Sequence, residues 1–137
     1  MITHVFDPSA ILAHYFQEPG AEQVNALLAD NSVEIGLPAT ALIDLKSRLA
    51  SAVPDPAEAR RAYRLYAEEL IAALPVTREV VADAERILER AGGQLPVSAA
   101  FVAATARHEG AVLVHRDPAL ARIPGDLVQQ FALPLET

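Results

Sequence analysis

The sequence contains no cysteine and no tryptophan, a single methionine, and only 5% aromatic residues in a length of 137. Without cysteine there can be no disulfide, no thiolate metal site and no cysteine nucleophile, and a reducing, cytoplasmic setting is the expectation. With so few aromatic rings, the core has to be built from Ala, Leu, Val and Ile, as when Ala-rich helices cover Val/Ile strands. No run of about 18 apolar residues occurs, so no membrane span is expected. The N-terminal stretch lacks the basic region and apolar run of a signal peptide, which also points to the cytoplasm. Positive charge is scarce: 11 Lys and Arg stand against 18 Asp and Glu, for a net charge of −7. That balance argues against a non-specific nucleic-acid coat, which needs a basic face. It still permits a nuclease whose clustered carboxylates are neutralised by metal and whose phosphate contacts come from a few local Arg.

Several chemistries are missing as motifs. Neither Gly-rich phosphate loop occurs, G-x-x-x-x-G-K-[ST] or G-x-G-x-x-G, and there is no G-x-S-x-G nucleophile elbow. A phosphatase of the haloacid-dehalogenase type wants a second Asp two residues after the first, and two residues after Asp7 stands Ser9. His4, His14, His108 and His115 show no metal-ligand spacing, and packing or surface roles are expected for them.

What the chain does have is an apolar fraction of 52%, enough for one domain over residues 1–137 that buries roughly two-thirds of its unfolded surface. Hydrophobic patterning predicts a strand at Ile2–Phe6 and helices at Ser9–Phe16 and Ala21–Ala29, separated by Glu18-Pro19-Gly20. A second strand is expected at Val33–Leu37, and Pro38 opens a helix with Leu42, Leu45 and Leu49 on one face. A break at Val53–Pro56 precedes a long helix from Ala57 to Leu74. Leu74–Val76 is a candidate edge strand. Thr77 caps a helix that reaches Arg90. An Ala-rich helix spans Pro96–Glu109, a strand Ala111–Val114, a loop with one helical turn starts at Asp117-Pro118, and a last strand is expected at Leu127–Phe131. Strands alternating with helices imply an α/β fold with a mostly parallel sheet of four to five strands, covered on both faces.

Three aspartates then stand out. Asp7 ends the first strand and Asp117 follows the strand at Ala111–Val114. In a right-handed parallel sheet those ends share one edge, the edge at which ligands bind. Asp44 lies two turns into the helix that starts at the same edge. Converging carboxylates suit a hard divalent cation such as Mg²⁺ or Mn²⁺. A plainer reading stands beside this one. Asp7 before Pro8 is also a helix cap, Asp117 before Pro118 also a turn residue, and Asp44 also the partner of Lys46 or Arg48. Ser9, His115 and Arg116 lie close by in sequence, where a hydroxyl or a cation can meet water or phosphate.

Four features together resemble the PIN-domain family, in particular the VapC-type toxins of type II toxin–antitoxin pairs. They are the opening VFDPSAILAHYFQEPGAEQV, the stretch LPATALIDLKSRL, the stretch LPVSAAFVAATARHEGAVLVHRDPAL, and their order along essentially the whole chain. The resemblance implies a PIN-like three-layer α/β/α fold and a metal-dependent endoribonuclease with four acids around Mg²⁺ or Mn²⁺. It also implies an RNA substrate, a cognate antitoxin and homodimerisation. Asp7, Asp44 and Asp117 match the first, second and last acids. Two positions depart from the pattern. The second acid is usually Glu, one methylene longer than Asp44. The third is usually Asp, and here it is Ala99, whose methyl group binds no metal; one way to complete the site is for three acids and water to hold the ion, with Ser98 assisting. The alternative function is therefore a catalytically inactive PIN-fold module that binds RNA or a partner.

Overall fold

The computed structural model describes residues 1–135. Five strands form one sheet: β1 (His4–Phe6), β2 (Ile35–Pro38), β3 (Ala72–Leu74), β4 (Val112–His115) and β5 (Gln130–Ala132). Their order is β3-β2-β1-β4-β5, and every neighbouring pair is parallel. The helices are α1 (Pro8–Tyr15), α2 (Ala21–Ala29), α3 (Ala39–Ala52), α4 (Pro56–Arg64), α5 (Arg78–Arg90), α6 (Val97–Glu109) and the short α7 (Pro118–Ala121). They flank the sheet to give the expected three-layer α/β/α arrangement. Among the described residues no helix is long and apolar enough to cross a membrane.

The sequence explains where several elements begin. Asp7-Pro8, Asp55-Pro56 and Asp117-Pro118 each open a helix in the same way. The aspartate caps and proline takes the first helical position, where its missing N–H is harmless. In each case the carboxylate accepts from the amide two residues on, at 2.9 to 3.0 Å. Thr77 Oγ1 accepts from the Val80 amide at 3.3 Å to start α5. Gly110, at φ 64°, ends α6 in the left-handed conformation that suits glycine.

Alanine dominates α6. Ala99, Ala100, Ala103, Ala104 and Ala106 are buried there, so this helix lies close against the sheet and against α3 and α5. Phe6, Ile11, Leu37, Leu45, Leu49, Ile87, Leu113 and Leu120 supply the bulk of the core.

Boundaries differ from expectation most clearly at four places. The first strand starts at His4, because the Thr3 and His4 amides both converge on the Glu34 carbonyl, at 2.9 and 3.2 Å. The expected long helix ends as a π-helical turn, Leu65–Leu70, which buries Tyr66. The edge strand β3 then comes early, ending at Leu74 in register with Pro38. Pro75 has no N–H to extend the ladder. The last strand is late because the Leu127 amide is held in a turn by the Pro124 carbonyl, at 3.0 Å.

Gly20 has φ 101°, and a Cβ there would sit 2.9 Å from Cβ of Leu133. Backbone conformation and crowding both oppose a side chain. Gly20→Ala is expected to lower the unfolding free energy by about 1–3 kcal/mol, readable as a urea midpoint shift at constant slope.

Candidate active site

The C-terminal ends of β1 and β4 meet side by side. Phe6 pairs with Val114, and the Asp7 amide donates to the Val114 carbonyl at 3.0 Å. One step further on, the Arg116 amide donates to Ser9 Oγ at 2.9 Å. The loop after β4 is thus tied to the first turn of α1. Asp7 and Asp117 lead out of these two strands at the same edge. The capping reading of both is realised, and it does not compete with convergence. Asp7 caps through Oδ2 and Asp117 through Oδ1, which leaves each carboxylate a second oxygen.

Burial separates these caps from the third. Asp7 is 4% exposed, whereas Asp55 faces solvent. Burial pushes the Asp7 carboxyl above the usual carboxylate range, against hydrogen bonds from Ser9 and the charge of Arg48, and the Asp117 charge adds to the rise. Burial and the Asp117 charge both favour the protonated form of Asp7, and the Arg48 cation favours the ionised one.

Asp44 lies in the second turn of α3, roughly 8 Å from its start at the same edge. Of its two sequence-suggested partners, Arg48 takes the role, with Nε 3.1 Å from Asp44 Oδ1. Lys46 points elsewhere, its Nζ 5.5 Å from the Tyr63 ring centroid. Ala99 is buried in the first turn of α6. That helix runs down to β4, so its start lies at the same edge as Asp7 and Asp117. Ser98 beside it is exposed.

His115 and Arg116 have structural engagements. His115 is 1% exposed. Its Nδ1 accepts from the Asp117 amide at 3.0 Å, and its Nε2 meets Gln130 Oε1 at 2.7 Å. Gln130 Nε2 donates to the Ile123 carbonyl at 3.1 Å. These fixed donors and acceptors assign the imidazole proton to Nε2. His115 therefore holds the backbone of Asp117 and is too buried to touch RNA. Arg116 donates to Glu18 Oε1 at 2.8 Å and to the Pro19 carbonyl at 3.1 Å, pinning the turn between α1 and α2.

Sequence reasoning marked Glu18 only as part of the turn after α1 and missed Gln130, and nothing in the local sequence links either to Arg116 or His115. His115→Ala is expected to cost about 2–4 kcal/mol of stability, because it empties a buried site and leaves the Asp117 amide unpaired. Chemical denaturation measures this. A surface contact to RNA would instead lower affinity at unchanged stability.

Among the described residues, no group of three or more His, Asp or Glu side chains is close enough to hold a metal ion. The donor chemistry fits a smaller site. Mg²⁺ keeps several waters and commonly uses only one or two carboxylates, and Asp7 and Asp117, each with one oxygen not used in capping, are the residues that would supply them. Asp44 is occupied by Arg48, and Ala99 offers no oxygen.

The model of the PIN domain family matches residues 5–126. None of the curated proteins matches the chain. Similar folds occur among solved structures. VapBC2 from Rickettsia felis, bound to a DNA fragment from its promoter, aligns with a TM-score of 0.77 at 15% identity, over 97% of this chain and 100% of that one. DNA-bound VapBC from Salmonella typhimurium gives 0.74 at 16% identity, over 96% and 98% of the two chains. VapBC-5 from Mycobacterium tuberculosis, a member of the VapBC family of toxin–antitoxin systems, gives 0.70 at 17%, over 96% and 99%.

Proposed function

This chain belongs to the PIN-domain family, and from that membership we propose that it is a VapC-type toxin, the ribonuclease half of a type II toxin–antitoxin pair. In this reading residues 1–137 form one PIN domain, which works in the cytoplasm as a homodimer and is restrained by a cognate antitoxin protein. The likeness to folds solved as VapBC complexes supports the choice of partner.

The observation that carries the reading is the pairing of Asp7 and Asp117. Two carboxylates leave adjacent parallel strands at one edge, one of them buried, and a backbone bond from Asp7 to Val114 and the Arg116 amide's bond to Ser9 Oγ lock the loops that bear them. Asp7 and Asp117 are the residues that would hold Mg²⁺ or Mn²⁺, with Asp44 behind them. The chemistry a divalent cation supplies in such a site is activation of a water and neutralisation of charge at phosphorus. The chain's own residues set the stage for it. Ser9 holds Asp7 through its amide and receives the Arg116 amide on its hydroxyl. His115, itself fixed by Gln130, holds the amide of Asp117. Both carboxylates are thereby placed by second contacts, the arrangement that metal sites use to orient their ligands.

Ala99 and the Asp44–Arg48 pair favour a second reading, in which the same fold binds RNA or its partner without cutting. One oxygen ligand is missing and another is taken by a cation. The test is cleavage of single-stranded RNA with Mg²⁺ or Mn²⁺, with and without EDTA. The toxin reading expects slow, EDTA-sensitive cleavage. No cleavage at high protein concentration, from a folded protein that still binds RNA, selects the second reading.

A further inference from the structure

Positive charge is scarce in this molecule, yet it is concentrated in one place. Residues 46–64 hold five of the 11 basic side chains, Lys46, Arg48, Arg60, Arg61 and Arg64, against two acids, Asp55 and Glu58. This stretch covers the second half of α3 and all of α4, and α3 is the helix that carries Asp44. Two of the five cations are committed, Arg48 to Asp44 at 3.1 Å and Arg61 to Glu58 at 2.6 Å. Among the described residues, Lys46, Arg60 and Arg64 enter no ion pair.

Between α3 and α4 lies a groove of about 300 Å³, at the lower end of the volumes that bind small ligands, about 300–1,000 Å³. Its walls are apolar, with Val53, Pro54, Pro56 and Tyr63 among them, and Lys46 and Arg60 stand at its rim. The prolines have fixed backbone φ, and the rest of the wall is α3, α4 and the short connection between them, so little ordering is needed for binding. Lys46 Nζ is 5.5 Å from the Tyr63 ring centroid, so an anion held by this ammonium lies beside an aromatic, apolar wall. A ligand that suits the groove has a flat apolar body joined to an anion, with a further negative charge within reach of Arg60.

We propose that this groove is a nucleotide subsite for the RNA strand, taking a base against Tyr63 and the prolines and its flanking phosphates on Lys46 and Arg60. The inference rests on the ribonuclease reading for the identity of its ligand. The groove is well placed to guide a strand. Ala50, on its wall, lies six residues beyond Asp44 on α3, about 9 Å along the helix axis, and about 17 Å from the edge at which the helix starts. A strand crossing the acid edge reaches it within a short oligonucleotide. Lys and Arg contacts to phosphate with an aromatic platform for the base are the usual means of holding single strands. They also resolve how so acidic a chain would retain RNA next to its carboxylates.

The test is binding of a 2′-O-methyl RNA tetranucleotide, which cannot be cut through its 2′-hydroxyl, to the full chain in EDTA. Amide chemical shifts are followed by NMR and affinity by titration. The expected result is shifts across residues 46–63 and an affinity reduced about ten-fold by Tyr63→Ala. The double substitution Lys46→Ala with Arg60→Ala weakens binding and lowers the salt dependence of log Kd by about 0.7 per lost contact. Both cations are exposed, so these variants retain the fold, and thermal unfolding verifies it.

Unchanged binding in the double variant, or shifts confined to the loops at Asp7 and Asp117, overturns the subsite. So does competition for the groove by an acidic peptide that the oligonucleotide cannot displace, which assigns it to a protein partner. The two proposals fail separately. Binding at the groove by a protein that cuts nothing removes the ribonuclease reading alone. Cleavage and binding that ignore the double substitution remove the subsite alone.

Discussion

Ala99→Asp is expected to raise metal-dependent RNA cleavage by about 100-fold, the scale on which a misplaced or missing contact at a reacting centre is felt. Ala99 sits buried in the first turn of α6, where a carboxylate also gains from the helix dipole. The added oxygen ligands would stand at the sheet edge where β1 and β4 end and Asp7 and Asp117 follow them. The substitution carries a cost that serves as its own control. Without metal it adds a negative charge near a carboxylate that burial already disfavours, and stability falls by about 1–3 kcal/mol. With Mg²⁺ or Mn²⁺ most of that loss returns, because an ion that binds only the folded state stabilises it. Thermal unfolding with and without metal, beside a cleavage assay, reads both effects. A loss of stability that metal does not relieve, with cleavage unchanged, would mean that position 99 faces the core and not the site.

Asp7→Asn is expected to abolish the metal response while making the protein more stable. Asparagine keeps an oxygen to accept from the Ser9 amide and removes the charge that burial penalises. At pH 7 the melting temperature should rise by about 2–5 °C. The pH dependence follows from the raised pKa of the wild-type acid. A carboxyl with a folded pKa above its unfolded one binds its proton more tightly in the folded state. Its stability is then full below the unfolded value and is lost as pH rises through the folded value. The advantage of Asp7→Asn should therefore be largest near neutrality and shrink as the pH falls below the elevated pKa. Cleavage should drop by about 100-fold or more in the same variant. Lower stability on Asp7→Asn at pH 7 would contradict this, since it would make Asp7 a net stabilising cap and nothing more.

The three Asp-Pro pairs show how far the sequence could be read and where reading stopped. Asp7-Pro8 and Asp55-Pro56 read as helix starts and Asp117-Pro118 as a turn, and all three prove to be capped helices. The alternation of strands and helices gives the parallel sheet, and with it the edge shared by Asp7 and Asp117. Local sequence cannot say which cap is buried. Asp7 and Asp55 have the same right-hand neighbour and the same hydrogen bond, yet only Asp7 lies under other elements. That difference comes from the sheet order, which sets β1 in the centre.

The same limit applies to His115 and Arg116. Their positions beside Asp117 suggested contact with water or phosphate. Their partners, Gln130 and Glu18, lie 15 and 98 residues away, and no period or motif links them. The early arrival of β3 is of a similar kind. Pro75 marks the end of a strand, but only the register with β2 decides that the strand is Ala72–Leu74. By contrast, the Asp44–Arg48 pair follows from i, i+4 spacing on one helix.

The most direct test of the account is calorimetric titration of Mn²⁺ into the full chain, its Asp7→Asn variant and its Asp117→Asn variant. A single site in the wild-type protein that either substitution removes, with both variants folded, is the result predicted by a cation shared between two strand ends. Equal Mn²⁺ binding by all three proteins, or none by the wild type at millimolar metal, would contradict it and leave Asp7 and Asp117 as helix caps that happen to share an edge.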